Sequence, residues 1–204
     1  MKALASILPA LALSMIGSAS PASAQDYPFK KWASLWDRTC GSIDAAYSVI
    51  NAPEASGWKS ADAETDEEAA RVIETAKLQS QSTAEDANLT GLFVLRQQKE
   101  AGALVAFQEL QFADQPNQYL LACALYDTSA PNFGTPELAN FSAERPFADN
   151  SNHGLAVVEW QGGPEGSGRI KMTAGSIPSD HPGAQLLLGG LVLKTQFVFS
   201  ETSE

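Results

Sequence analysis

The sequence predicts an α+β fold in which an antiparallel sheet of five or six strands carries N-terminal helices on one face, with one disulfide. Three observations support this class. Apolar residues recur every three or four positions across residues 29–51, the period of an amphipathic helix. Short strand-like segments separated by turns fill much of the remaining chain, and such short connections favour antiparallel pairing. Cys40 and Cys123 are an even pair that an oxidising compartment would bond, and two buried free thiols are the alternative.

Residues 1–24 have the three parts of a cleavable secretory signal peptide. Lys2 supplies the positive start, residues 3–16 are mostly apolar, and Ala22-Ser23-Ala24 forms a cleavage site of small residues. A membrane-spanning helix needs about 20 apolar residues, and this stretch is shorter. The sequence therefore predicts cleavage after this site and export to the periplasm or the medium. The mature protein is expected to be a single α+β domain over residues 25–204 with no membrane span.

The chain is acidic, with 24 Asp and Glu residues against 13 Lys and Arg residues. Cleavage would remove Lys2, the only charged residue of the leader, and change the net charge from −11 to −12. Proteins that bind nucleic acid carry a basic face, so this balance argues against a nucleic-acid partner. A charge far from zero favours solubility, and it is compatible with a basic envelope protein or a cationic ligand as partner.

The helical elements come first along the chain. An apolar stripe that includes Trp32, Trp36 and Cys40 predicts a helix, and Ser42 is placed to cap a second one that ends before Pro53. Stripes of this kind are more often core than a ligand-stacking surface. A third helix is predicted from about residue 66 to residue 80, opened by a capping box with Thr65 as the cap.

Six segments read as strands. Cys123 alternates with Leu121 and Leu125, so these side chains share a face, and a bond to Cys40 would lay the first helix across that face. The last segment is apolar on both faces and is broken by Gly189-Gly190. The predicted strands cover residues 92–95, 103–112, 119–128, 155–160, 169–173 and 185–199.

No catalytic or cofactor-binding motif stands above background, and no cofactor is predicted. The glycine-rich residues 162–168 lack the lysine of a phosphate-binding loop, and a strand follows them instead of a helix. We interpret them as a hairpin connection.

Two loops hold the candidate functional residues, Asp149 and His153 in one and Asp180 and His181 in the other. A zinc site needs three or four ligands, which these loops supply only if they meet. Ser179-Asp180-His181 contains the residue types of a hydrolase triad, but three consecutive side chains do not easily form its hydrogen-bond chain. Hydrated loops are the alternative interpretation.

A resemblance to known proteins gives a further indication of where the protein acts. The matching features are Cys40-Gly41-Ser42 with Asp44, a later Gly57-Trp58, and Leu121-Ala122-Cys123. In these features the chain resembles small exported proteins of alphaproteobacteria that have no assigned activity. The resemblance covers about a third of the chain. It implies export, a bacterial source and a disulfide, and it carries over no functional residue.

Three functions are compatible with these observations. The first is a non-catalytic periplasmic or secreted binding protein, for example an inhibitor that offers an acidic loop to a basic cell-wall hydrolase. The second is an envelope hydrolase that uses His153 or His181. The third is a structural envelope protein that self-associates through its apolar C-terminal segment.

Overall fold

The computed structural model describes residues 27–82, 87–99, 102–142, 144–149, 154–163, 168–182, 184 and 188–200. The signal peptide predicted at 1–24 lies outside these residues. The helices are α1 (Phe29–Cys40), α2 (Ile43–Asn51), α3 (Glu67–Ser82) and the short α4 (Thr135–Leu138). The strands are β1 (Trp58–Ser60), β2 (Ala87–Gln97), β3 (Ala103–Phe112), β4 (Gln118–Asp127), β5 (Ala148–Asp149), β6 (Ala156–Gln161), β7 (Arg169–Ile177) and β8 (Gly190–Ser200).

All eight strands form one antiparallel sheet in the order β1-β2-β3-β4-β8-β7-β6-β5. The predicted α+β class, antiparallel pairing and single disulfide are confirmed, but the predicted count of five or six strands is wrong. The two additional strands are β1 and β5, which are three and two residues long. Strands this short show no alternating pattern, so the sequence gives no signal for them.

The first face of the sheet is covered by α1 and α2. Cys40 and Cys123 form a disulfide with their Cα atoms 5.5 Å apart, and both are fully buried. Near it, the indole nitrogen of Trp36 donates a hydrogen bond to the hydroxyl of Thr195 on β8 at 2.9 Å. Trp58 is buried in the same core. The prediction that the N-terminal helices pack on one face is therefore confirmed.

The second face is partly covered by α3. This helix is capped by Asp66, whose carboxylate accepts a hydrogen bond from the amide of Ala69 at 3.0 Å, so Thr65 is not the cap. Arg96 of β2 binds Asp66 and Glu68 at 2.7 and 2.9 Å and attaches the start of α3 to the sheet. Burial opposes ionisation of Asp66, but the hydrogen bonds from Arg96 and Ala69 outweigh it and lower the pKa of the carboxyl.

β8 lies in the middle of the sheet, between β4 and β7, so its backbone pairs on both sides. The predicted break at Gly189-Gly190 is where the strand begins. Gly190 has a φ of +102°, and a Cβ there would lie 2.2 Å from the carbonyl oxygen of Asp127, so only glycine fits. Within the part of the chain that the structure describes, no helix is both long and apolar enough to cross a membrane.

Candidate functional site

A cavity of about 230 Å³ lies on the second face of the sheet, beside α3. It lies beside α3 because, among the described residues, this helix packs over β2 and β3 and not over the neighbouring strands β4, β8 and β7. Its floor comes from β3, β4, β8 and β7, one wall comes from α3, and the rim comes from β6 and the segment before β8. The lining is mainly apolar, as in most small-molecule sites.

Small residues make the floor concave. Ala106 of β3 pairs with Ala124 of β4, and Gly175 of β7 lies two strands away. Ala122 is the next residue on the same face of β4. Side chains of one or no carbon atoms leave space above the sheet that larger residues would fill.

The wall is formed by Val72, Thr75 and Ala76 of α3. Val72 is 4 % exposed and packs in a second apolar cluster with Leu104. The side-chain amide of Gln108 donates a hydrogen bond to the backbone carbonyl of Ala76 at 3.1 Å, which ties the helix to β3 beside the cavity. The wall is therefore positioned both by packing and by a buried polar contact.

The rim includes Leu155 just before β6, Val157 within β6 and Ile177 at the end of β7. Leu188 also lines the cavity; it is 4 % exposed and has a φ of +62°. This left-handed conformation is unfavourable for a leucine and is kept only where the surroundings determine it. Burial of the Leu188 side chain against Val72 and Leu104 offsets that cost and closes one side of the cavity.

One charged side chain lines the cavity among the described residues. It is Lys194 of β8, which lies in register between Ala124 of β4 and Thr173 of β7. Burial lowers the pKa of the Lys194 ammonium, and the positive charge of Lys171 lowers it further. No hydrogen bond or ion pair of Lys194 is found within the described part of the chain.

The nearest charged groups on this face already form a pair. Lys171 of β7 makes a salt bridge with Glu159 of β6. Glu159 is directly opposite Thr173 in the strand register and lies two strands away from Lys194. The carboxylate thus neutralises Lys171, and no described residue of the lining balances the charge of Lys194.

Tyr126 is a second polar group in the lining, opposite Val192 in the register of β4 and β8. Burial raises the pKa of Tyr126 to about 12. The phenol is therefore neutral across the physiological range and can donate a hydrogen bond to a bound molecule.

Comparison with known proteins gives no relative that could identify this cavity. No family model, no curated protein and no solved structure matches the chain. The arrangement must be interpreted from its own chemistry. The resemblance to exported alphaproteobacterial proteins stays a prediction.

The structure describes three of the four predicted loop residues. Asp149 is exposed in the edge strand β5, and Asp180 and His181 lie in the turns after β7. A Cβ on Gly154 would lie 3.7 Å from the His181 ring, so the two predicted loops meet at this point. His153 lies outside the described residues, and the hydrolase hypothesis stays a prediction.

Within the described ranges, no group of three or more His, Cys, Asp and Glu residues is arranged to hold a metal ion. Gly154 and Pro178 directly adjoin the cavity-lining residues Leu155 and Ile177. Asp149, Asp180 and His181 are therefore not part of the described lining, although Asp180 and His181 follow Ile177 closely in the chain.

Sequence reasoning missed Lys194, although the sequence contains a signal for it. Lys194 is the one charged residue of the segment 191–199, in which only Thr195 and Gln196 are otherwise polar. Lysine is rarely placed in a buried central strand unless it has a partner or a task.

Proposed function

We propose that the protein is a non-catalytic, exported binding protein that takes a small, largely apolar molecule into the cavity between α3 and the sheet. The observation that carries the proposal is the mainly apolar lining of this cavity of about 230 Å³. An apolar cavity of about 150 Å³ is enough to hold benzene, so this one has space for on the order of ten carbon atoms.

Apolar surface that faces a cavity in the free protein is a source of binding energy. A ligand that removes this surface from water gains free energy roughly in proportion to the area it covers. The wall and floor are also largely pre-formed, because Gln108 ties α3 to the sheet and the disulfide holds β4 from the other side. A pre-formed site loses little conformational entropy when it binds.

The acidic balance of the chain favours a further partner class, a basic envelope protein or a cationic ligand, and this stays a prediction. Such a partner would use the outer surface. The cavity and the acidic surface are therefore two separate candidate binding sites.

The test is a calorimetric titration of the mature, oxidised protein with 1-decanol, an uncharged apolar probe. We expect saturable binding with one site per chain. Ala124→Phe should abolish it, because Ala124 is 7 % exposed and its side chain belongs to the cavity floor.

The matched control is Ile170→Phe, which also adds a ring but at a position that is 42 % exposed and does not line the cavity. This variant should bind 1-decanol like the wild type. Absence of saturable binding to the wild type, or equal binding by Ala124→Phe, would remove the proposed function.

A further inference from the structure

Lys194 places a positive charge inside a cavity whose remaining described lining is uncharged. An isolated ammonium loses hydration when it is buried and needs an opposite charge or hydrogen-bond acceptors in return. Arg96, a cation on the same sheet face, has this compensation from Asp66 and Glu68. The described residues around Lys194 provide nothing equivalent.

The neighbouring carboxylate is already engaged. Glu159 pairs with Lys171, and the charge of Lys171 acts against that of Lys194. The described lining therefore offers the half-buried Lys194 no negative charge. The apolar cavity directly in front of the ammonium is where a bound molecule would supply it.

We infer that the ligand of the cavity is a monocarboxylate with an apolar body, and that Lys194 binds its carboxylate. This inference rests on the proposed function, since it names the class of molecule that the cavity takes. The ammonium and the carboxylate would form a charge-assisted hydrogen bond in surroundings of low polarity. Thr173 is opposite Lys194 in the strand register and offers a hydroxyl to the same carboxylate.

The single positive charge of Lys194 favours a carboxylate over a phosphate as the head group of the ligand. One ammonium balances one negative charge, whereas a phosphate monoester carries up to two at neutral pH. A second negative charge would be buried without compensation, because Lys171 is paired with Glu159. Phosphate-binding sites also present several backbone N–H groups at a helix start or loop, and this cavity is floored by paired strands.

The test compares three molecules with the same ten-carbon chain and different head groups, namely decanoate, 1-decanol and decyltrimethylammonium. Each is titrated into the wild type, into Lys194→Met and into Lys30→Met. Methionine keeps an unbranched chain at position 194 and removes the charge. Lys30 is an exposed lysine of α1, so Lys30→Met makes the same change of charge away from the cavity.

We expect the wild type to bind decanoate about tenfold to a hundredfold more tightly than 1-decanol, the range for a hydrogen bond to a charged group. In Lys194→Met this preference should disappear while 1-decanol still binds. In Lys30→Met the preference for decanoate over 1-decanol should be unchanged. Lys194→Gln, checked by near-ultraviolet circular dichroism, gives a second uncharged variant if the methionine variant does not fold.

Equal affinity of the wild type for decanoate and 1-decanol would overturn the inference, and so would a preference for decyltrimethylammonium. An undiminished preference for decanoate in the folded Lys194 variants would also overturn it. In each of these cases the proposed function survives, because the cavity still binds an apolar chain. If none of the three molecules binds, the proposed function itself has failed.

Discussion

Arg96 and Lys194 are cations on the same face of the sheet, and they differ in what surrounds them. Arg96 is held by two carboxylates of the α3 start. Lys194 is set among apolar side chains, and burial lowers the pKa of its ammonium. A paired cation stabilises the fold, whereas an uncompensated one costs stability and is expected to have another use.

Replacement of Lys194 with methionine is expected to stabilise the free protein. At neutral pH the lysine is charged in the unfolded chain, and folding then removes water from that charge. We expect Lys194→Met to raise the free energy of unfolding by about 1 kcal/mol, measured by urea denaturation. The exposed Lys30→Met should change the free energy by less than about 0.5 kcal/mol.

The pH dependence of this difference follows from the direction of the pKa shift. Because the folded pKa of Lys194 lies below its unfolded value of 10.5, the unfolded chain binds more protons between the two values. Stability of the wild type therefore gains from rising pH in that window, and its difference from Lys194→Met should shrink. Lys171, Glu159 and Tyr126 share this face in both proteins, and the repulsion between Lys171 and Lys194 is part of the difference that is measured. A difference that stays constant up to pH 10.5 would contradict the assignment.

At the scale of elements, the long segments could be predicted and the short ones could not. The stripe of α1 and the alternation around Cys123 contain enough repeats to define a face, and the disulfide follows from the cysteine count. β1 and β5 contain too few residues for a period. Thr65 and Asp66 are both good capping residues, and the contact of Asp66 with Arg96 decides between them.

The attachment of α3 is expected to depend on Arg96. The Arg96 and Asp66 side chains are 15 % and 20 % exposed, so this pair is partly desolvated. Arg96→Met would leave Asp66 and Glu68 without their cation, and we expect a loss of about 2 kcal/mol in the free energy of unfolding. Because α3 is the cavity wall, 1-decanol should also bind more weakly.

Arg71→Met is a matched control variant, because Arg71 also forms an ion pair with a glutamate in the first turns of α3. Arg71 and Glu67 form an ion pair at 3.9 Å in which Glu67 is 89 % exposed, and such pairs contribute little. Arg71→Met should therefore change the free energy of unfolding by less than about 0.5 kcal/mol. Equal losses in both variants would show that the contact of Arg96 has no special role.

At the scale of the whole molecule, the disulfide joins the helical layer to the centre of the sheet. It links residues 83 positions apart and restricts the unfolded chain accordingly. We expect the double variant Cys40→Ala/Cys123→Ala to lose about 2–5 kcal/mol in urea denaturation. Dithiothreitol should lower the stability of the wild type towards that of the variant and leave the variant unchanged. A wild type that is insensitive to full reduction would contradict this role of the disulfide.

The cavity itself could not be predicted from the sequence. Its floor depends on the register that places Ala106, Ala124, Lys194 and Thr173 side by side on four strands. A shift of one residue in any strand would turn its member of this row to the other face. The sequence contains the small residues and the lysine, but only the pairing of all four strands brings them side by side.

The disulfide also gives the two sides of the cavity different mechanical properties. Cys123 lies on one face of β4, and the floor residues Ala122 and Ala124 lie on the other, so a covalent bond holds the floor from behind. The wall, α3, is held by packing, the contact of Gln108 and the ion pairs of Arg96. We therefore expect a ligand with a longer chain to displace the helix, while Lys194 stays in place in the floor. We expect a receptor that is strict about the charge of its ligand and tolerant of its length.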